Sequence, residues 1–124
     1  MGLTLDSGAL IAIERRDRRA SAWLAEAVDR GTPPNVSAVV VAEVWRGGRR
    51  SALLARALRL CRIIPADEAV ARAAGELLAA AGSDATIDAL VVTAAAIAGD
   101  AVLTSDPHDL APLGARVGVT VLGL

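Results

Sequence analysis

The chain has 124 residues, a hydrophobic fraction of 54%, and a formal net charge of −1 from 13 basic and 14 acidic residues. This length and apolar content predict one folded domain over residues 1–124 and argue against a disordered chain. All the basic residues are arginine, and there is one His and one Cys, which excludes lysine-dependent chemistry, a His-rich zinc site and an internal disulfide.

Strand-like and helix-like patterns alternate along the whole chain. In chain order they predict a strand over residues 3–5, helices over 9–14 and 20–30, a strand over 35–36, helices over 37–45 and 52–60, a strand over 62–65, helices over 67–82 and 84–98, and strands over 101–104 and 117–122. Glycines stand where several of these helices end, among them Gly31, Gly82 and Gly99. Helices between strands are typical of an α/β fold, and we expect a three-layer α/β/α sandwich around a mostly parallel sheet.

Neither a targeting signal nor a membrane span is expected. No basic stretch precedes an apolar one at the start of the chain, where Asp6 already introduces a negative charge. The longest uncharged runs, residues 31–42 and 89–99, are shorter than the roughly 18 apolar residues that a spanning helix needs. We therefore expect a cytoplasmic protein that does not contact a membrane.

Two carboxylates follow predicted strands closely. Asp6 comes directly after the strand over residues 3–5, and Asp106 comes shortly after the strand over 101–104. Parallel sheets bind ligands beyond the carboxyl ends of their strands, so both side chains fall at one edge if the strands are neighbours. Each also has an ordinary structural explanation, since Asp is common as a helix N-cap and in turns.

Two further carboxylates lie in apolar helical segments. Glu43 stands within VSAVVVAEVW, and Asp88 stands within ATIDALVVTAAAIAG, with Asp84 one turn before it. A lone carboxylate on a buried helix is costly, although a narrow solvent-facing stripe would also accommodate each of them.

A convergence of these carboxylates would require a cation. Neighbouring carboxylates repel one another, and a hard divalent ion such as Mg²⁺ or Mn²⁺ is the usual compensation. Such an ion can orient a phosphodiester and lower the pKa of an attacking water, which requires neither His nor Cys. The residue types present therefore suit metal-assisted phosphodiester hydrolysis.

Four segments in order resemble the PIN-domain family, and within it the VapC-type toxins of bacterial toxin–antitoxin pairs. The segments are LTLDSGALIA, VVVAEVWRGG, IDALVVTAAA and VLTSDPHDL, which together span nearly the whole chain. The resemblance implies an α/β/α sandwich with a metal-dependent endoribonuclease site. It also implies a homodimer and inhibition by a small VapB-like antitoxin that covers or enters the site.

The resemblance also implies which residues form the site. Asp6 and Asp88 correspond to the primary ligands of Mg²⁺ (or Mn²⁺), and Glu43 and Asp106 correspond to the carboxylates that complete the cluster directly or through water. The hydroxyls of Ser7 and Thr104 are expected to support these ligands and the substrate.

Three residues near the last two aspartates of the site leave open which side chains belong to it. Asp84 also begins an Asp-Ala pair, although the context of Asp88 fits the family pattern better. Some relatives carry another acid two residues after the last aspartate, where this chain has His108, and Asp109 follows one residue later.

Arginines flank the predicted site. Arg46 lies three residues after Glu43 and hence on nearly the same helical face, where it could bind a phosphate backbone. A second group follows the first helix and consists of Arg15, Arg16, Arg18 and Arg19. A solvated charge run explains this second group equally well. Trp23 and Trp45 occupy apolar helical positions and are expected in the core.

The leading hypothesis is a Mg²⁺- or Mn²⁺-dependent endoribonuclease that is the toxin of a VapBC-type pair and acts on RNA. A PIN nuclease of RNA processing without an antitoxin is the nearest alternative, and a non-catalytic RNA- or protein-binding module on the same fold is another. The set of four carboxylates favours an enzyme, because a binding module does not need all of them. A phospho-receiver domain is excluded by the missing lysine.

Overall fold

The computed structural model describes all 124 residues and contains five strands, seven α-helices and one short 3₁₀-helix. The strands are β1 (Gly2–Leu5), β2 (Asn35–Ser37), β3 (Arg62–Ile64), β4 (Asp100–Thr104) and β5 (Val121–Gly123). The α-helices are α1 (Ser7–Glu14), α2 (Arg18–Asp29), α3 (Ala38–Val44), α4 (Ala52–Arg59), α5 (Glu68–Ala81), α6 (Thr86–Ala98) and α7 (Pro107–Val117). The 3₁₀-helix, Gly48–Ser51, precedes α4.

The five strands form one parallel sheet in the order β3-β2-β1-β4-β5. The chain moves outward from β1 to β2 and β3 and then returns to β4 on the other side of β1. Right-handed crossovers in opposite directions place α1–α4 on one face of the sheet and α5–α7 on the other. The mostly parallel α/β fold predicted from the sequence is thereby confirmed.

The direction in which successive strands are added to the sheet reverses between β1 and β4. These two parallel strands are paired by the registers Leu3↔Ala101 and Leu5↔Leu103. Ligand sites of such sheets lie at this reversal, outside the carboxyl ends of the two strands. Asp6 follows β1 and Asp106 closely follows β4, so both predicted residues belong to this edge.

The core lies on both faces of the central strands. Leu5 and Leu103 are fully buried and belong to one continuous cluster that also contains Val40 of α3 and Val92 of α6. Burial of each such side chain contributes about 1.5–3 kcal/mol to the stability of the folded protein.

Aspartates begin three of the helices. The carboxylates of Asp6, Asp17 and Asp67 each accept a hydrogen bond from the backbone N–H three residues later. An N-cap of this kind contributes about 1 kcal/mol. Asp6 therefore has the capping role noted as its structural alternative, whatever else it does.

The structure differs from the predicted elements in several places, most clearly in the last part of the chain. Residues 107–117 form α7, which was not predicted, and the last strand begins at Val121 instead of residue 117. Helix α6 begins at Thr86, so Asp84 lies in the preceding turn. Trp23 packs against the core as expected, whereas the expectation for Trp45 is wrong because its side chain is 42% exposed.

No single helix has the length and apolar character to cross a membrane. Helices α5 and α6 meet those criteria only when they are taken together, and they are bent by 116° relative to each other.

Candidate active site

Asp6 links the end of β1 to the start of α1 and is only 9% exposed. Its Oδ1 accepts a hydrogen bond of 3.1 Å from the backbone N–H of Ala9, and its Oδ2 accepts one of 2.7 Å from the hydroxyl of Thr104. Burial raises the pKa of Asp6, the hydrogen bond from Thr104 opposes that rise, and the charge of Asp106 adds to it. Two elements thus hold this carboxylate in one orientation.

Thr104 is the last residue of β4 and is fully buried. Its hydroxyl donates to Asp6 and accepts a hydrogen bond of 2.9 Å from the backbone N–H of Asp106. This single hydroxyl therefore fixes the buried carboxylate and the turn that carries the exposed carboxylate of Asp106.

Glu43 and Asp88 approach Asp6 from two helices, α3 and α6. Partial burial raises the pKa of Glu43, and the negative charges of Asp88 and Asp6 raise it further, whereas Ser7 lowers it by a hydrogen bond. Burial also raises the pKa of Asp88, followed by the charges of Asp109, Asp6 and Asp106. The charges of Glu43, Asp88 and Asp6 therefore act on one another, and the charge of Asp106 acts on Asp6 and Asp88.

Asp109 lies beside Asp106 and lines the cleft described next; its part in binding a metal stays a prediction. It lies in the first turn of α7, three residues after Asp106. A hydrogen bond with Asp106 and the charge of that residue raise the pKa of Asp109. His108 and Asp84 are exposed and do not line the cleft described next.

A polar cleft opens over these side chains. It is lined by Asp6, Ser7, Gly8, Ile11, Asp88, Ser105, Asp106, Asp109 and Leu110. Glu43 does not line this cleft, and it interacts with Asp88 and Asp6 through the negative charges of their carboxylates. We call this feature the acidic cleft.

The donor chemistry of the acidic cleft fits a hard divalent cation. None of its carboxylates pairs with an arginine, since the two ion pairs of the chain join Glu26 with Arg30 and Glu68 with Arg72. Carboxylate and hydroxyl oxygens are the ligands that Mg²⁺ and Mn²⁺ prefer. No three of the acidic side chains are arranged closely enough to form a complete metal-binding group.

Arg46 does not line the acidic cleft. It follows the end of α3, its guanidinium donates to the carbonyl of Trp45 at 2.8 Å, and its backbone N–H donates to the hydroxyl of Ser51 at 3.0 Å. Its role in substrate binding stays a prediction.

Gly8 and Ser105 are cleft residues that the sequence reading missed. A Cβ atom at position 8 would lie 3.2 Å from both the Cβ and the backbone N of Ser105, so glycine keeps the two segments close. The segment DSG, in which a glycine directly follows the capping residues, is the signal that could have indicated this position.

Comparison with known proteins identifies the fold. A comparison with curated proteins finds no match. The chain is similar to VapBC2 from Rickettsia felis bound to a promoter DNA fragment, with a TM-score of 0.78 and 17% identity over 100% of this chain and 99% of that one. It is also similar to FitAB bound to the IR36 DNA fragment, with a TM-score of 0.72 and 24% identity over 98% of this chain and 94% of that one. For FitAcB from Neisseria gonorrhoeae the TM-score is 0.69 and the identity is 23%, over 98% of this chain and 96% of that one.

These three structures share the fold of this chain. The sequence model of the PIN domain matches residues 3–111, a stretch that contains all but the first residue of β1, all of β4 and every carboxylate of the acidic cleft. Because this match covers most of the chain, the protein belongs to the PIN domain family.

Proposed function

We propose that this chain is a divalent-metal-dependent endoribonuclease and that it is the toxin of a VapBC-type toxin–antitoxin pair. The observation that carries the proposal is the cleft at the carboxyl edge of β1 and β4 that Asp6, Asp88 and Asp106 line together. Burial and neighbouring negative charges raise the pKa of Asp6 and Asp88 there, and partial burial and the charges of Asp88 and Asp6 raise that of the exposed Glu43. No guanidinium compensates their charge. The repulsion among these carboxylates opposes folding, whereas a bound cation would relieve it.

In this proposal Asp6 and Asp88 hold Mg²⁺ or Mn²⁺, and Glu43 and Asp106 complete the site directly or through water. When bound, the ion orients the phosphodiester and lowers the pKa of the attacking water. Ser7 lines the cleft and lowers the pKa of Glu43, which helps to keep that carboxylate ionised.

Thr104 is assigned to the positioning of Asp6, because a fully buried hydroxyl with both a donor and an acceptor partner cannot also reach a substrate. Because the orientation of Asp6 is fixed before a ligand arrives, binding requires little reorganisation there.

The proposed partner is a small antitoxin. The similar structures are of assemblies named FitAB, FitAcB and VapBC2, two of them with DNA. By analogy we propose that this chain is a cytoplasmic homodimer that an antitoxin holds inactive. The fold likeness supports this partner only as an analogy.

Cleavage of a structured RNA with Mg²⁺, with Mn²⁺ and with EDTA tests the enzymatic part. Wild-type protein should cleave only with the metal, and Asp6→Asn and Asp88→Asn should abolish cleavage. Asp29→Asn is a matched control, because this exposed carboxylate at the end of α2 is remote in the fold from the carboxyl edge of the sheet. Cleavage that survives EDTA, or that both site variants retain, contradicts the metal-dependent mechanism, whereas absence of cleavage by the wild-type chain with either metal favours a non-catalytic binding module.

Expression in a bacterial host tests the toxin assignment separately. Growth should stop with the wild-type chain and continue with Asp6→Asn at an equal level of protein. An active nuclease that leaves growth unaffected would instead indicate RNA processing without an antitoxin.

A further inference from the structure

The turn between α1 and α2 concentrates positive charge. Arg15, Arg16, Arg18 and Arg19 surround Asp17, and all of these residues are exposed. None of the four arginines forms an ion pair. We call these four residues the arginine corner.

Arg16 occupies a backbone conformation that favours glycine. Its φ is +61°, and the bonds from Arg16 N to Ile13 O and from Asp17 N to Ala12 O, both 2.9 Å, close the end of α1 in a Schellman arrangement. Four other helices of this chain have a glycine at the equivalent position, with φ between +61° and +73°: Gly31, Gly82, Gly99 and Gly118. Folding alone would favour glycine at position 16 as well.

Arg18 and Arg19 also stand where a helix disfavours positive charge. They form the first turn of α2, which contains no acidic residue after its N-cap, Asp17. Cations at a helix N-terminus oppose the helix dipole. A residue other than glycine with a positive φ and two cations at a helix N-terminus thus occur within five residues. Such departures from the residues that folding favours are expected where a sequence serves function.

A second cleft adjoins the acidic cleft and reaches Arg15 of the arginine corner. This second cleft, lined by Gly8, Ile11, Ala12, Arg15, Asp17 and Ser105, shares Gly8, Ile11 and Ser105 with the acidic cleft. The seven-residue step from Gly8 to Arg15 along α1 corresponds to about 10 Å at the α-helical rise. Asp17 also lines the second cleft, and its carboxylate accepts a hydrogen bond of 2.9 Å from the backbone N–H of Ala20.

We propose that the arginine corner binds the phosphate backbone of the RNA strand on one side of the bond to be cleaved; this rests on the proposed function. Guanidinium groups bind phosphate oxygens in a bidentate manner. A chain with a net charge of −1 has no general attraction for RNA, so local positive charge must hold the strand beside the carboxylates.

An acidic protein segment fits the corner less well than RNA does. Large exposed hydrophobic side chains are Met1, Trp45, Leu53, Leu60, Ile63, Ile97 and Val117, none of which belongs to the corner. A protein partner would find no apolar anchor there, whereas a phosphate backbone needs none.

Binding of a short fluorescent single-stranded RNA in EDTA, measured by anisotropy from about 50 to 200 mM salt, tests the proposal without requiring catalysis. Arg15→Gln/Arg18→Gln should weaken binding and reduce the slope of log K against log salt by about 1.4, because each phosphate contact with a single strand contributes about 0.7. Arg62→Gln/Arg116→Gln is the matched control. Arg62 begins β3 and Arg116 lies near the end of α7, so both belong to the opposite edge of the sheet.

Arg16→Gly separates a binding role from a structural one. Glycine relieves the left-handed backbone, so the Tm should rise by roughly 2–6 °C while RNA binding weakens and the KM for cleavage rises at unchanged kcat. A structural role would change stability and activity in the same direction.

Three results overturn the proposal: a corner variant with wild-type binding and salt slope, a control variant that loses as much as the corner variant, or a wild-type chain that does not bind RNA. A corner variant that binds RNA normally but no longer binds a co-expressed acidic protein also overturns it and assigns the corner to a protein. Failure of the proposed function is recognised separately, as absence of cleavage by the wild-type chain with Mn²⁺.

Discussion

The hydroxyl of Thr104 at the end of β4 donates a 2.7 Å hydrogen bond to Oδ2 of Asp6 at the end of β1. The bond joins the two neighbouring strands between which the order of the strands in the sheet reverses. This bond lowers the pKa of Asp6 against the effect of burial. It therefore helps to keep a buried carboxylate ionised and ready to bind a cation.

Thr104→Val should raise the pKa of Asp6 further, because the variant removes the donor and keeps the shape of the side chain. We expect the acid limb of the pH–rate profile of RNA cleavage to move to higher pH, and the free energy of unfolding to fall by about 1–3 kcal/mol. Thr104→Ser restores the hydroxyl and should return the profile toward that of the wild type. A profile that does not differ between the Val and Ser variants would show that this bond has no influence on Asp6.

The metal-free protein should become less stable as pH rises. The folded-state pKa values of Asp6, Asp88 and Glu43 are raised above ordinary values of 3.8 for Asp and 4.5 for Glu. Their stabilising contribution is present in full below those ordinary values and is lost as pH rises through the raised folded values. Above about pH 4 the Tm in EDTA should therefore decline with pH.

Mn²⁺ should reverse that decline, since it binds the ionised carboxylates. We expect the increase in Tm on addition of Mn²⁺ to be larger at neutral pH than at acidic pH, and Asp88→Asn to reduce it. Thermal unfolding at several pH values with EDTA and with Mn²⁺ measures both effects. A Tm that is insensitive to Mn²⁺ throughout would argue against a cation at the acidic cleft.

The buried carboxylate of Asp100, in contrast, has a structural role. It lies at the start of β4, on the opposite edge from the acidic cleft, and accepts hydrogen bonds from Thr4 Oγ1 at 2.7 Å and from Asn35 Nδ2 at 2.8 Å. Asp100→Ala leaves two donors without an acceptor, one of them on a buried side chain. Denaturant unfolding should show a loss of about 1–3 kcal/mol, while the increase in Tm caused by Mn²⁺ persists. Loss of that Mn²⁺ effect would show that the two edges are coupled.

The sequence indicates the first carboxylates of the site because their signals are local. Asp6 follows an apolar run directly, and Glu43 and Asp88 interrupt apolar helical segments, so each is unusual among its own neighbours. The alternation of strands and helices likewise indicates a mostly parallel sheet. These features need no knowledge of distant contacts.

The rest depends on contacts that the local sequence does not reveal. Helix α7 contains Pro112 and Gly114, which disfavour a helix locally, yet it forms as Leu110 and Leu113 are buried and Gly114 admits the close approach of the Val119 carbonyl. Without α7, Asp109 has no predicted position.

The same limitation applies to Asp100, whose partners Thr4 and Asn35 are 96 and 65 residues away in the sequence. Nothing in the immediate surroundings of Asp100 distinguishes it from an exposed carboxylate at the start of a strand.

Gly8→Ala should impair the acidic cleft without unfolding the protein. The added methyl group would force the side chain of Ser105 to rotate and would lie 3.2 Å from its Cβ, on the floor shared by the two clefts. Alanine is also the better helix former, so we expect the Tm to change little while cleavage falls about tenfold or more.

Gly75→Ala provides the matched control for this substitution. Gly75 lies in α5, and a Cβ there meets nothing within 4 Å, so the same chemical change should stabilise the protein by up to about 1 kcal/mol and leave cleavage unchanged. Combining Gly8→Ala with Ser105→Gly removes the colliding side chain and should restore part of the lost rate. Equal cleavage by the Gly8→Ala and Gly75→Ala variants would mean that the substrate does not use this part of the cleft, and would also weaken the case for a strand running along α1 to the arginine corner.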